Sequence, residues 1–548
     1  MKSQRITSCY KELLISVILF FPLLIICLSH FGYDLELHCF NVAQFLNGHD
    51  TIVANFYEKV PLKYHYGYDL MLSYLIKRTH LPYPYAATII LILCSSFCML
   101  SLSYYLHYVS KDLWAYGLTI ATFFFAFDWC GIYLKKFYDL GILYQIGFWS
   151  DINQSSWVFT LPLLIILVIL FHTSNLSNKK QQLYLCFVIF VLAIFAPIYA
   201  ATSMMLLGLS LFTLFLFNVI NKNYKFSMIP IFTGIGLLIL WKIMNKGLFL
   251  SLDVYEMPSV SSIFIEFNIK RVFWTFLYYI TIQPVAFIVF LGTLYELIFK
   301  FNTILNYKDE RLLLIILILV CYPLPFIIYF NNLTIFDNFC KFNLLGMYAS
   351  YIFIVHFFNA FKMNNNTKII FCLFVVFAFR ASMGQFLMEI RIHDLFRDHR
   401  KFEDRMVATP KLNVFLRRNK IKDPSFLVLS KKHSQDYHWD PIHRDFVFCF
   451  NIAEEFPTIS YRYGLRTINF YDLNHEFRQD IENRFIFDMN EVMHNNPKGL
   501  IHLHPTYLIM QMNDIPFLVY KLRRLNRIRQ VDYSIKENWV IYNYFVPN

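Results

Sequence analysis

Long apolar runs recur along most of this sequence. A helix needs about 20 consecutive apolar residues to cross the hydrocarbon core of a bilayer. Eleven segments satisfy this requirement, at 12–31, 85–108, 113–130, 156–173, 182–199, 200–220, 227–245, 272–299, 312–330, 342–361 and 368–387. Backbone groups in lipid must form their hydrogen bonds within the segment, so each run predicts a helix. We expect an α-helical polytopic membrane protein with about eleven transmembrane helices.

The composition agrees with this expectation, since 57% of the 548 residues are apolar and only 16% are charged. The formal net charge of +12 could indicate nucleic-acid binding, but no motif that reads a groove is present. Lys and Arg lie mainly in short connectors and in the C-terminal region, where they set topology and contact membrane surfaces. The cysteines show neither metal nor redox spacing. We therefore expect membrane lipid as a partner and no nucleic acid.

Orientation follows from the distribution of Lys and Arg. With the N-terminus inside, thirteen of these residues fall in the inner segments. This N-in, C-out arrangement places four long loops outside, at 32–84, 131–155, 246–271 and 331–341. Reading 182–220 as one span instead of two would reverse every later loop and weaken the charge bias.

The composition changes near residue 390, so we divide the chain into a membrane domain at 1–389 and a soluble domain at 390–548. The soluble domain is predicted to be extracytoplasmic and α/β, because short strand patterns alternate with helical ones. Strands are expected at 426–430 and 500–504, a terminal hairpin at 531–546, and helices at 474–495 and 516–530. The basic run at 521–529 is typical of a solvated helix face or of contact with anionic lipid.

Polar residues concentrate at the start of the first outer loop. Asp34, Glu36 and His38 directly follow the first span, and Asp34 and His38 would share one face of a helix. A carboxylate here can act as a general base on a hydroxyl or help to hold a divalent cation such as magnesium or manganese. The alternative is that Asp34 only caps an interfacial helix.

Aromatic and polar side chains follow in the same loop, over Tyr64-His65-Tyr66-Gly67-Tyr68-Asp69. Aromatic faces with hydrogen-bonding rims suit sugars or lipid headgroups, although an interfacial aromatic belt has the same composition. In the next outer loop, Trp149 could stack on a sugar or anchor at the interface. Asp151 could contribute to a site or cap the following span.

Basic residues lie near the outer ends of the last two spans. Lys341 immediately precedes the tenth span and Arg380 lies within the eleventh. Together they could bind a lipid phosphate, for which Arg provides the better-matched donors. The alternative is that both extend to the headgroups without a specific ligand.

The segment from Asp34 to Gly48 and the stretch from Tyr64 to Tyr68 resemble motifs of the GT-C superfamily of integral membrane glycosyltransferases. That family has an acidic motif after an N-in first span, a long first outer loop and a C-terminal extracytoplasmic domain. Its second motif is proline-rich, whereas this chain has Tyr66 and Asp69 where prolines are often found.

This resemblance implies transfer of a sugar from a polyprenyl-phosphate-linked donor to an acceptor on the outer face of a bacterial inner membrane. Asp34 would be the catalytic base or its metal-binding equivalent, with Glu36 beside it. The candidate substrate-binding residues are His38, His65, Tyr68, Asp69, Trp149 and Asp151, and the candidate donor-phosphate ligands are Lys341 and Arg380.

Two other functions fit the sequence. A transporter or flippase would have ionisable residues at mid-depth and paired broken helices. Mid-span charges are nearly absent, but Pro197, Pro284, Pro323 and Pro325 could break helices. A non-enzymatic scaffold for envelope assembly is the third alternative.

Overall fold

We describe the protein from a computed structural model. The structure describes residues 2–29, 67–110, 112–125, 157–173, 263–265, 267–304, 309–330, 335–361, 366–371, 426–429, 494–503, 507–511, 516–534 and 539–545. It also describes scattered positions at 42, 45, 46, 210, 213, 216, 373, 395–397, 399, 400, 418, 491 and 492.

Most of the described elements are helices. They are α1 (Lys2–Ser29), α2 (Gly67–Thr79), α3 (Tyr83–Val109), α4 (Leu113–Phe125), α5 (Trp157–Thr173), α6 (Ile269–Ile282), α7 (Pro284–Phe299), α8 (Phe301–Ile304), α9 (Asp309–Cys321), α10 (Leu324–Ile327), α11 (Ile335–Phe361), α12 (Lys498–Leu503) and α13 (Pro516–Arg524). The strands are β1 (Ile263–Ile265), β2 (Ile328–Phe330), β3 (Phe426–Leu429), β4 (Tyr507–Gln511), β5 (Ile528–Ser534) and β6 (Trp539–Tyr544).

The chain forms two compact units. The first, which we call the bundle unit, comprises residues 1–32, 88–246 and 262–396. The second, which we call the loop unit, comprises residues 33–87, 247–261 and 397–548. Residues 33–87 and 247–261, most of two predicted outer loops, therefore group with the C-terminal region.

Within the part of the chain that the structure describes, two helices are long and apolar enough to cross a membrane. They are α3 and the helical stretch Glu310–Ile327. α3 buries one side, including Leu91 and Cys98, and leaves Leu93 and Leu100 exposed on another. A helix that is apolar all round suits a lipid environment, where an exposed leucine meets hydrocarbon instead of water.

Six predicted spans correspond to helical segments in the structure. The spans expected at 12–31, 85–108, 113–130, 156–173 and 342–361 are represented by α1, α3, α4, α5 and α11, and the span expected at 312–330 is represented by the stretch Glu310–Ile327. The spans at 182–199, 200–220, 227–245 and 368–387 lie mostly outside the described residues. The count of eleven and the topology remain predictions.

The single span predicted at 272–299 is instead two helices. α6 and α7 meet at Gln283 with a bend of 106°. Gln283 leaves the helical conformation, with φ −129° and ψ 47°, and Pro284 begins the next helix. Proline lacks an N–H and disfavours helical geometry in the residue before it, so the break occurs at this point.

α11 is the central helix of the bundle unit, contacting α4, α6, α7, α9 and α10. It packs closely against α9 at Gly346, where an added Cβ would lie 2.6 Å from the Cβ of Cys321. Small residues allow this proximity between membrane helices, whose association depends on van der Waals packing.

Polar side chains also join the helices. The Ser16 hydroxyl on α1 lies 2.9 Å from the Ser103 hydroxyl on α3 and 2.7 Å from the Tyr116 hydroxyl on α4. These contacts fix three helices through one small residue. At another edge of the bundle unit, β1 pairs antiparallel with β2, with Ile263 opposite Phe330.

In the loop unit, α2 begins at the end of the aromatic stretch of the first outer loop. Its last turn is tied to the preceding segment, because Lys77 Nζ donates to the Phe45 carbonyl at 2.9 Å. A link of three residues, His80 to Pro82, then leads into α3.

The C-terminal part of the loop unit contains a four-stranded mixed sheet with strand order β3-β4-β6-β5. β3 and β4 are parallel, whereas β6 is antiparallel to both β4 and β5. The predicted strand at 426–430 and the predicted terminal hairpin are confirmed. The helix predicted at 474–495 lies almost entirely outside the described residues.

The strand predicted at 500–504 is wrong, because these residues belong largely to α12. The Asn496 side chain accepts from the Lys498 amide at 3.2 Å, and Pro497 follows it. A capping asparagine and a proline start a helix, although the alternating leucines and histidines after them imitate a strand.

The helix predicted at 516–530 ends earlier than expected. α13 stops at Arg524, and Asn526 takes the left-handed conformation with φ 52°. The Asn526 amide donates to the Arg523 carbonyl, and the Arg527 amide donates to the Leu522 carbonyl. This Schellman motif satisfies the last carbonyls and releases the chain into β5.

The close packing at Gly346 gives a first prediction. Gly346→Ala should destabilise the bundle by about 1–3 kcal/mol, because the new methyl group must displace backbone or Cys321 in a filled interface. Thermal unfolding of the detergent-solubilised protein would measure the change. Gly117→Ala is the matched control, since its added Cβ would lie 3.6 Å from Ile15, an ordinary contact. Equal stability of the two variants would contradict this packing.

Candidate functional site

Three of the ten residues that the sequence assigns to a site are described by the structure. Tyr68 and Asp69 lie on α2, and Lys341 lies on α11. The others lie outside the described residues: Asp34, Glu36, His38, His65, Trp149, Asp151 and Arg380.

Tyr68 and Asp69 occupy the first turn of α2 and are almost completely buried, with exposed fractions of 2% and 0%. A carboxylate in a first turn is favoured by the partial positive charge at the start of the helix. Their burial makes both side chains part of the packed interior of the loop unit.

Lys341 is the seventh residue of α11, in a part of the helix that packs against α6. The ring of nearby Phe339 lies 5.4 Å from that of Tyr278 and 5.0 Å from that of Tyr279. Asn343 donates through Nδ2 to Oε1 of Gln283, the residue between α6 and α7. The backbone at Lys341 is therefore positioned beside the break in the bent helix pair.

A stack of aromatic rings surrounds this break. Tyr279 stacks on Phe287 at 5.2 Å and on Tyr322 at 4.9 Å. Phe290 also stacks on Tyr322, at 4.7 Å. These rings come from α6, from α7 and from Tyr322, which directly follows α9. The stack therefore joins the break at Gln283 to a second break, at Pro323.

The second break is at Pro323, after α9. The Phe326 amide, which would bond to the Tyr322 carbonyl in a continuous helix, donates instead to Pro323. The Tyr279 hydroxyl donates to the Tyr322 carbonyl at 2.6 Å and satisfies it. A buried carbonyl that loses its helical partner must find another, so this bond holds the break in place.

Ionisable side chains form a different cluster, which we call the helix-end cluster. It contains Tyr105, His172, Glu296, Glu310, Arg311 and His356. They come from the last two turns of α3, α5, α7 and α11 and from the first turn of α9. In the predicted topology this end of the bundle faces the cytoplasm.

Tyr105 links the two histidines of the helix-end cluster. Its hydroxyl lies 2.7 Å from Nε2 of His356, and its ring meets the His172 ring edge to face at 5.5 Å. His172 Nδ1 in turn lies 2.9 Å from Oε1 of Glu310, which is 3% exposed. These contacts connect α3, α5, α9 and α11 through polar groups that are removed from water.

The remaining pair of the cluster joins α7 to α9. Arg311 Nη2 lies 3.5 Å from Oε2 of Glu296, and the Arg311 guanidinium lies 5.8 Å from the centre of the Phe353 ring. Ionisable residues in membrane segments are costly to bury, so their presence there is a reason to expect a functional role.

Two further pairs lie at the same helix ends. His107 Nδ1 is 2.5 Å from Oε2 of Glu12, and Lys368 Nζ is 2.6 Å from Oδ2 of Asp112. Asp112 also caps α4, because its Oδ1 accepts from the Trp114 amide at 2.9 Å. Partial burial raises the pKa of Asp112, but the bonds from Lys368 and Trp114 together with the Lys368 charge hold it below its ordinary value.

The helix-end cluster was not predicted, because its ionisable residues lie near the ends of the predicted spans and not at their mid-depth. Glu296, His172 and His356 each lie within five residues of the end of a predicted span. The signal was therefore present, as polar residues at matching ends of several spans. Among the described residues, no three His, Cys, Asp or Glu side chains come together as a metal site.

Comparison with known proteins assigns no family. No family model and no curated protein matches this sequence.

The bond between Tyr105 and His356 gives a second prediction. Tyr105→Phe should lower stability by about 1 kcal/mol, because a buried hydrogen bond is lost while the ring packing is retained. Its thermal unfolding in detergent should be compared with that of Tyr104→Phe, which changes an exposed residue on the same helix. If Tyr105→Phe is as stable as Tyr104→Phe, the buried bond contributes nothing.

Proposed function

We propose that this protein is a membrane glycosyltransferase of GT-C type, which transfers a sugar from a polyprenyl-phosphate-linked donor to an acceptor on the extracytoplasmic face. One structural observation carries the proposal. The segment 33–87, which bears the acidic motif, belongs to the same compact unit as segments 247–261 and 397–548. An enzyme of this class needs its acidic loop and its outer domain on the same side of the membrane.

The chemistry of a lipid-linked donor fits this division. The polyprenyl chain stays in the bilayer, while its phosphate and sugar lie at the surface, where residues 33–87 join α3. Asp34 takes the proton from the acceptor hydroxyl, and Glu36 lies next to it. His38, His65, Trp149 and Asp151 contribute to the sugar and acceptor sites.

Tyr68 and Asp69 have a supporting role in this proposal. Both are buried in the first turn of α2, directly after the aromatic stretch that begins at Tyr64. A rigid helix start fixes the direction of the loop that precedes it. Catalytic groups need such support to hold a productive geometry.

The donor phosphate is assigned to Lys341 and Arg380. Lys341 is supported by its backbone position beside the break between α6 and α7, where Gln283 leaves the helical conformation and accepts from Asn343. Arg380 offers a planar fork of donors to the same anion. The proposed location is a bacterial inner membrane with the C-terminal domain outside.

The proposed base gives a third prediction. Asp34→Asn should reduce sugar transfer about a hundred- to ten-thousand-fold, because the isosteric amide cannot accept the proton. Transfer from a panel of radiolabelled polyprenyl-phosphate sugars to membrane acceptors would measure it. Asp50→Asn is the matched control, since it removes a carboxylate from the same loop outside the acidic motif. Unchanged transfer by Asp34→Asn would refute the role of this residue.

A transporter or flippase of a lipid-linked or small polar substrate is the second candidate. Two observations favour it, namely the bend of 106° between α6 and α7 and the buried ionisable groups of the helix-end cluster. Discontinuous helices and intramembrane ionisable residues are typical of transport sites.

A fourth prediction separates the two candidates. For the glycosyltransferase, Glu310→Gln should retain most of the sugar transfer, because Glu310 is in the helix-end cluster and not in the acidic loop. A flippase should show the reverse dependence. In proteoliposomes, the Glu310→Gln variant would no longer move a fluorescent polyprenyl-phosphate sugar across the membrane, whereas the Asp34→Asn variant would still move it. Dithionite quenching of the outer leaflet would measure that movement.

A further inference from the structure

The helix α13 exposes a face that its own unit does not cover. Leu518 and Leu522 are completely buried, one turn apart, and fix the inner face of the helix. The opposite stripe comprises Phe517, Tyr520, Lys521 and Arg524, at helical positions i, i+3, i+4 and i+7. We call these four residues the outward stripe.

The outward stripe combines large aromatic side chains with basic ones. Phe517 is 72% exposed and Tyr520 is 64% exposed, and Leu525 beyond the helix is 56% exposed. A single exposed apolar residue needs no explanation, but several on one short helix indicate an interaction surface.

The charge on this surface has one sign. The helix Pro516–Arg524 contains three Lys or Arg and no Asp or Glu. Two of the three have contacts that hold them in place. Lys521 Nζ donates to the Asn495 carbonyl at 3.0 Å, and Arg523 Nη2 donates to the Tyr542 hydroxyl at 3.1 Å. The surface is therefore a fixed positive patch with aromatic rings beside it.

The chain itself keeps the loop unit close to a bilayer. Residues 83–87, the start of α3, belong to the loop unit, and α3 is one of the two helices able to cross a membrane. A unit that contains the start of a transmembrane helix cannot move far from the lipid headgroups. An aromatic and basic helix of this kind matches an anionic membrane surface, where rings enter the interface and cations pair with phosphates.

We propose that the outward stripe of α13 docks on the anionic headgroups of the bilayer that the protein spans. Phe517 and Tyr520 insert their rings at the headgroup level, and Lys521 and Arg524 bind lipid phosphates. This contact gives the loop unit a second attachment to the membrane in addition to α3. It does not depend on the proposed glycosyl transfer.

A fifth prediction tests the docking directly. The full-length chain, with the photo-cross-linker benzoylphenylalanine in place of Phe517, is reconstituted in nanodiscs of phosphatidylcholine with or without phosphatidylglycerol. Illumination should yield lipid adducts, detected by mass spectrometry, and phosphatidylglycerol should be over-represented among them. The same cross-linker in place of Tyr533 should yield few. Tyr533 is exposed but lies five residues along β5 from Ile528, about 17 Å away.

Charge variants complete the test. Arg524→Gln should reduce the phosphatidylglycerol adducts at position 517 about fivefold, since one basic residue at an anionic surface contributes about that factor. Arg529→Gln, an exposed basic residue on β5, should leave them unchanged. Adducts with a second copy of the chain would overturn the proposal in favour of self-association. Equal lipid adducts at positions 517 and 533, or no effect of Arg524→Gln, would also overturn it.

Discussion

Backbone groups that lose their helical partners away from water must be satisfied by other groups, and the bundle unit is arranged around this constraint. The clearest case is the Tyr322 carbonyl, which Pro323 excludes from a regular helix and which the Tyr279 hydroxyl satisfies. That bond brings α6 and α9 together at their breaks. The aromatic stack and the contact between Gln283 and Asn343 occupy the same region. Without them, each break would leave polar atoms exposed to lipid.

The same constraint accounts for the helix-end cluster. His172, Glu310 and His356 lie at the ends of different helices, and each is mostly buried. Pairing at one end of the bundle reduces the cost of removing these groups from water. The bundle unit therefore places polar groups in two regions, at helix breaks and at one set of helix ends. The exposed surfaces of α1 and α3 are largely apolar.

Local patterns predicted much of the secondary structure. Apolar runs predicted α1, α3, α4, α5, α11 and the stretch Glu310–Ile327, and the hairpin expected at 531–546 predicted the pairing of β5 with β6. The errors occurred where the local pattern was ambiguous. Leu500 to His504 alternates like a strand, but Asn496 and Pro497 start a helix there. At residues 525–527, the left-handed asparagine ended a helix whose pattern of apolar residues continued.

The sequence by itself determined that the chain contains apolar helices long enough to cross a membrane and that its C-terminal region differs in composition, because hydropathy and composition are local properties. It also selected Asp34, Glu36 and Arg380 as candidates, and these remain predictions. Only the tertiary structure grouped segments 33–87, 247–261 and 397–548 into one unit. Only the tertiary structure brought Tyr105 to His356, 251 positions apart. Contacts between distant segments depend on how helices and strands pack, and a pattern within one segment carries no record of its partner.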